Sequence, residues 1–265
     1  MTPLRWTGID HVRVWSHDVE ATTRAYARLF DAEPDALGVL RSGGAGVVIG
    51  PAAAGQSPDH HGGLVEVVLS VVADEDVARL LTRRGLPVEE RGDGTCVVDL
   101  AGLRIVVSTG GDDAPPAVGS GVTGAEVTGL DHLVVHTRRP DRALALWGAR
   151  LGLDLRLDRS NTRLGVRFLF FRCGRDVVEV AAPLAVDGAP AGESTDADHG
   201  GPDRTGGLAW RTADLDATHA RLVAAGFDLS EVRAGRKPGT RVATVREPAL
   251  ALPTLLIEQS AVESA

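Results

Sequence analysis

The chain has 265 residues, 43% of them hydrophobic and 24% charged, with a formal net charge of −8. That length supports one large or two medium domains with a sizeable core. The acidic balance argues against nucleic acid as a partner, no apolar run is long enough to span a bilayer, and the first residues lack the basic start and apolar stretch of a signal peptide. A cytoplasmic protein is therefore expected. Cys96 and Cys173 fall in separate apolar stretches and support neither a disulfide framework nor a thiolate metal site.

In chain order, the segment GIDHVRVWSHDVEATTRAYARLF from Gly8 reads as a strand, a charged turn and an amphipathic helix. LVEVVLSVVADEDVARLLTRRGL from Leu64 repeats that order more faintly, with Asp74 near the helix start and Gly85 at its end. A Gly/Ala/Asp/Pro-rich stretch over 109–127 reads as a linker. GLDHLVVHTRRPDRALALWGARLGL from Gly129 matches the first segment when His132 is set on His11. Strand-like runs LDLRLD, GVRFLFFRCG and DVVEVAAP follow, punctuated by Gly174, Arg175 and Asp176. A second flexible stretch, 184–205, reads as a connector or a lid. GLAWRTADLDATHARLVAAGF from Gly207 is the fourth copy, with Asp214 and Gly226 at the helix ends, followed by TRVATVRE and PTLLIEQ. The repeating unit is a strand, a helix and about three strands, four times over. This predicts an α+β chain with an N-terminal domain over 1–110, a linker over 111–127 and a C-terminal domain over 128–262.

Four ordered βαβββ copies, together with GLDHLVV, FFRCGRDVVEVAAP and TLLIEQ, resemble the vicinal oxygen chelate superfamily of glyoxalases, extradiol dioxygenases and bleomycin-resistance proteins. The resemblance covers nearly the whole chain outside the linkers. It implies two cup-shaped, glyoxalase-like domains with four ligand positions per cup, each cup made of two adjacent units or, in an exchanged pairing, of the first unit with the fourth and the second with the third. It also implies a small-molecule substrate and a monomer or homodimer. In the second half these fall on His132, Glu179, Gly207 and Glu258. Glycine offers no side chain, so the resemblance implies one divalent metal (Fe, Mn, Zn, Ni or Co) held by His132, Glu179 and Glu258, with Glu258 or Glu179 serving as a catalytic base. Read from the residues alone, a carboxylate in an apolar strand is costly to bury unless it is paired or bound to a metal. Period-two alternation equally allows either glutamate to face solvent or an arginine.

In the first half His11 remains, but the matching positions fall near Val48 or Ile49 and near Val106, with Glu66 as a possible substitute. That half is expected to be structural. The resemblance implies a metal-dependent enzyme, lyase- or isomerase-like rather than ring-cleaving because a second histidine is missing. The alternative is a metal-free small-molecule binding or drug-sequestration protein. The expected substrate-binding side chains are Lys237, Arg236, Arg167 and Trp210. GRKPGTRVATVR is either a cationic clamp for a carboxylate or phosphate or a polar hairpin. His136, four residues beyond His132, lies on the same side of an extended strand and is a candidate proton shuttle. His60, His61 and His199 read as exposed loop residues.

Overall fold

The computed structural model describes residues 4–51, 63–73, 75–91, 93–109, 126–184 and 201–260. Asp74, His60, His61 and His199 lie outside the described residues, as does most of the linker and of the connector.

The first repeat comprises β1 (Arg5–Ser16), α1 (Val19–Phe30), β2 (Val39–Ser42) and β3 (Ala45–Pro51). The second comprises β4 (Gly63–Val72), α2 (Val77–Arg83), β5 (Val88–Glu90), β6 (Thr95–Leu100) and β7 (Leu103–Thr109). The third comprises β8 (Val127–His136), α3 (Pro140–Ala143) continuing as a wider π-type segment over Leu144–Arg150, β9 (Asp154–Asn161), β10 (Val166–Cys173) and β11 (Asp176–Pro183). The fourth comprises β12 (Arg204–Thr212), α4 (Leu215–Ala224), β13 (Arg233–Ala234), β14 (Thr240–Val245) and β15 (Thr254–Gln259). Among the described residues the first repeat has two strands after its helix, one fewer than expected.

Local chemistry sets the helix ends. Asp18, Asp76 and Asp214 each accept a backbone N–H three residues on, satisfying donors that the helix itself leaves unpaired. The N-cap of α2 is Asp76, two residues beyond Asp74. Gly85 and Gly226 adopt the left-handed conformation just past α2 and α4, as the sequence pattern predicts.

The strands form two sheets, ordered β2-β3-β1-β4-β7-β6-β5 and β13-β14-β15-β12-β8-β11-β10-β9. Each sheet joins the strands of two adjacent repeats, with the leading strands β1 and β4, or β8 and β12, as neighbours. The architecture is the expected α+β pair of glyoxalase-like domains. Within each repeat the leading strand pairs with the last one, as in the parallel ladders of β1 with β3 and β12 with β15.

The chain also divides into two compact units, each discontinuous in sequence. One holds Met1–Gly8, Val68–Gly111 and Leu133–Gly206; the other holds Ile9–Val67, Asp112–His132 and Gly207–Ala265. The helices explain this grouping. In the first unit Arg84 donates to Leu151 O and Arg150 to Gly85 O. In the second, Arg221 donates to the carbonyls of Arg28 and Leu29, and Arg28 returns a bond to Ala225 O. Each pair therefore exchanges arginines between helix C-termini, where carbonyls lack partners and the helix dipole favours a cation.

Both cores are dominated by fully buried aliphatic and aromatic side chains, among them Trp147, Phe171, Leu80 and Ile105 in the first unit and Trp210, Tyr26, Leu29 and Ile9 in the second. Cys96 and Cys173 are buried free thiols.

Candidate active site

In the second unit, β8 carries Asp131 and His132 side by side. His132 Nδ1 lies 2.8 Å from Asp131 Oδ2. A carboxylate only accepts, so Nδ1 carries the proton. Arg211, on β12, places Nη1 at 3.7 Å from Asp131 Oδ1. Burial raises the Asp131 carboxyl, but the His132 hydrogen bond and the charges of His132, Arg211 and Lys237 outweigh it and hold the group below the usual carboxylate range. Lys237 donates from Nζ to Gln259 Oε1 at 3.0 Å. Asp131, His132, Arg211 and Lys237 thus form one electrostatically coupled group, with Gln259 steering the lysine. Of these, Lys237 and His132 were expected from sequence. Arg211, in the GLAWRT strand of the fourth repeat, and Gln259 were not.

Glu258 does not join this group. Its Oε2 accepts the backbone N–H of Leu215, the first residue of α4, at 2.7 Å, and Arg241 Nη1 approaches it at 3.5 Å. The register explains why. Trp210 pairs with Leu256 in the β12–β15 ladder, and both are fully buried. Glu258 is two residues further along the same face, beside Thr212, whose hydroxyl bonds Thr218 of α4. Glu258, expected as a metal ligand or base, thus has its carboxylate engaged at the start of a helix.

Glu179 belongs to the other unit. It sits opposite Phe170 in the β10–β11 ladder, on the face opposite the fully buried Val178 and Val180. Phe168 and Phe170 stack on that face with centroids 6.2 Å apart. Gly207, the fourth expected position, has a backbone that excludes any side chain: an added Cβ would lie 2.4 Å from Pro253 O. Among the described residues no three His, Cys, Asp or Glu side chains come together as a metal-holding group. His132 by itself suits a metal, since a carboxylate holds its Nδ1.

Two expected substrate contacts are also corrected. Trp210 is fully buried, its ring 4.6 Å from that of Phe30 on α1, so it is core. Arg167 faces the side of Ala182, opposite Glu179, and binds Asp158 through Nε and Nη2 at 2.9 and 2.7 Å and Asp141 through Nη1 at 3.1 Å. Arg236 is exposed in the turn of the β13–β14 hairpin, closed by Gly235 N to Thr240 O at 2.8 Å.

The first half repeats part of this arrangement. His11 Nδ1 lies 2.5 Å from Asp10 Oδ2, and Arg41 Nη1 is 3.3 Å from Asp10 Oδ1. Glu66 is nearly buried and faces Arg13 at 3.4 Å. Val106 packs with Val68 and Val97 in a buried apolar cluster, which agrees with a structural role for that sheet.

A family profile described as the Glyoxalase/Bleomycin resistance protein/Dioxygenase superfamily matches residues 131–244, a span that includes His132, Arg211 and Lys237 and ends before Glu258. No curated protein matches the sequence. Among solved structures, methylmalonyl-CoA epimerase from Mycobacterium tuberculosis is 25% identical over 51% of this chain and 90% of its own, with a TM-score of 0.40. A xylose isomerase-like TIM barrel/4-hydroxyphenylpyruvate dioxygenase fusion protein is 13% identical over 100% of this chain and 51% of its own, with a TM-score of 0.69. A mutant 4-hydroxymandelate synthase from Streptomyces coelicolor is 14% identical over 100% of this chain and 95% of its own, with a TM-score of 0.66. At these identities the last two show a shared fold along the whole chain.

Proposed function

We infer, from a chain that resembles the glyoxalase, bleomycin-resistance and dioxygenase superfamily in sequence over 131–244 and in fold throughout, that its second half is an acid–base enzyme of the isomerase or lyase type. Its substrate class is a small anionic carbonyl compound. The observation that supports this is the Asp131–His132 pair, with Nδ1 held at 2.8 Å and Arg211 and Lys237 acting on the same carboxylate.

His132 takes a proton from the carbon next to the substrate carbonyl, leaving an enolate and an imidazolium, and returns that proton to carbon in the second step. Asp131 holds the tautomer and stabilises the imidazolium. Arg211 and Lys237 attract the substrate anion and stabilise the enolate oxygen. A divalent metal remains compatible with His132 alone, and no step is assigned to one.

The test is solvent exchange. The protein is incubated in D2O with a panel of 2-oxo acids, 2-oxoaldehyde thiol adducts and acyl thioesters, and deuterium at the α-carbon is followed by proton NMR. Wash-in on at least one class is expected, falling by about 10²–10⁴-fold in His132→Gln. Absence of wash-in across the panel refutes the enzyme reading. The second reading, binding without turnover, is favoured by the engagement of Glu258 with α4; it expects the same panel to bind by calorimetry with no exchange.

A further inference from the structure

We propose that the cavity where β8 and β11 end, lying wholly in the first unit, is a binding site for a small organic anion with an apolar body. The cavity measures about 440 Å³ and is lined by His136, Arg138 and Arg204 together with Val166, Ala181 and Pro202. That volume falls in the range of small-molecule sites. Its wall holds two permanent cations and a histidine, and no carboxylate, in a protein whose formal net charge is −8. Many other arginines in this unit are matched to an acid or a carbonyl, as Arg142 is to Asp203, Arg167 to Asp158 and Arg84 to Leu151 O. Among the described residues the side chains of His136, Arg138 and Arg204 make no hydrogen bond or ion pair. Two guanidinium groups beside an apolar floor suit a phosphate or carboxylate carried on a hydrocarbon body.

The wall is built rather than incidental. Asp203 is buried, its side chain 1% exposed; its N–H donates to Ala101 O at 2.7 Å and its Oδ1 accepts Arg142 Nη2 at 2.7 Å. These bonds fix the short segment that presents Pro202 and Arg204. Pro202 in turn seats against Gly102, where an added Cβ would come within 2.4 Å of Pro202 Cβ. On the other side Thr137 N–H donates to Ala181 O at 3.0 Å, fixing the end of β8 beside β11. Gly206 leaves room for His136, since a Cβ there would lie 2.7 Å from its Nε2. The backbone that carries the two arginines is held in this way, so ordering on binding is confined to their side chains.

The experiment is isothermal calorimetry on the full chain with phenyl phosphate and benzoate as probes, at two salt concentrations. At least one probe is expected to bind one-to-one and more weakly at high salt. Arg138→Gln and Arg204→Gln should each weaken it about tenfold or more, as removal of a charge-assisted hydrogen bond does. Both side chains are exposed, so neither change removes core packing. A preference for phenyl phosphate identifies a phosphate ester as the natural ligand class, and a preference for benzoate a carboxylate. His132→Gln, which tests the reading of the other unit, should leave this binding unchanged. No binding of either probe, full binding by the Arg138→Gln/Arg204→Gln double variant, or loss of binding on His132→Gln overturns the proposal.

Discussion

Replacing Glu258 separates a structural carboxylate from a metal ligand. Its Oε2 accepts the Leu215 N–H at 2.7 Å, and Asp214 accepts the Ala217 N–H at 2.9 Å, so two of the orphan donors in the first turn of α4 rely on side-chain oxygens. A hydrogen bond to a charged group contributes about 1.5–3 kcal/mol. A carboxylate beside a helix N-terminus adds about 0.3–1 kcal/mol, and Arg241, at 3.5 Å and 38% exposed, adds at most about 1 kcal/mol. These terms overlap, so Glu258→Ala should cost about 2–3 kcal/mol. Glu258→Gln, which keeps an acceptor, should cost about 1 kcal/mol. Urea unfolding reads this directly as a lower midpoint at unchanged slope. For a chain of this size the melting temperature should fall by about 4–10 °C. Elemental analysis of the same samples completes the test. Wild-type stability combined with loss of a stoichiometric transition metal in Glu258→Ala would refute the assignment and restore a ligand role.

Two further outcomes follow from burial and charge. Trp210→Ala should destabilise the protein by about 3–5 kcal/mol, the cost of emptying an aromatic core site, while leaving phenyl phosphate binding intact in the folded fraction; denaturation and calorimetry on one sample check both. Asp131 has a folded pKa below its ordinary value of about 3.9, so in that window the unfolded chain binds more protons. Its contribution is present above about pH 4 and is lost as pH falls through the lowered folded value. Asp131→Asn should therefore flatten the acid side of a stability-against-pH curve, and an unchanged curve would remove the coupling inferred here.

The fold was legible because the repeat is carried by features that sequence displays locally. Alternation in GLDHLVV, the Asp214 and Gly226 helix ends and the four-fold order of elements all depend on near neighbours. Adjacent repeats share each sheet, whereas the compact units group the first repeat's helix with the fourth's and the second's with the third's, a division that no local pattern displays. Of the expected site residues, His132 and Lys237 share one electrostatic group while Glu258 stands at the start of α4, for a definable reason. In TLLIEQ both faces of the strand carry apolar residues, so alternation alone leaves the direction of the glutamate open. The direction is set by the pairing of Leu256 with Trp210, a partner some forty residues earlier in the chain. Arg211 was missed for the same kind of reason, because its acid, Asp131, is on a strand of a different repeat. Trp210 shows the converse: an aromatic near charged residues looks like a ligand platform in sequence, and only its contact with Phe30 reveals it as core. Exchange of arginines between helix C-termini leaves no local pattern at all, since the acceptors are backbone carbonyls.

Gly207 carries the argument one step further. Read as a ligand position, it is a histidine or carboxylate that has been lost. Its conformation says otherwise: φ is +136°, in the region that side chains rarely adopt, and Pro253 O would lie 2.4 Å from an added Cβ. That same carbonyl accepts the N–H of Leu208 at 2.9 Å, the bond that seats β15 beside β12. The close approach of these strands therefore requires glycine, and it also fixes the register that turns Glu258 toward α4. One strand pairing thus leaves no room for a side chain at 207 and sets Glu258 beside α4. Gly207→His should not rebuild a metal site. It should cost at least about 2 kcal/mol in strain and displaced packing and take up no transition metal by elemental analysis. A Gly207→His variant with wild-type stability and one bound equivalent would show that the strand can move to accept a ligand there, and the assignment of Glu258 to the helix would then need the same revision.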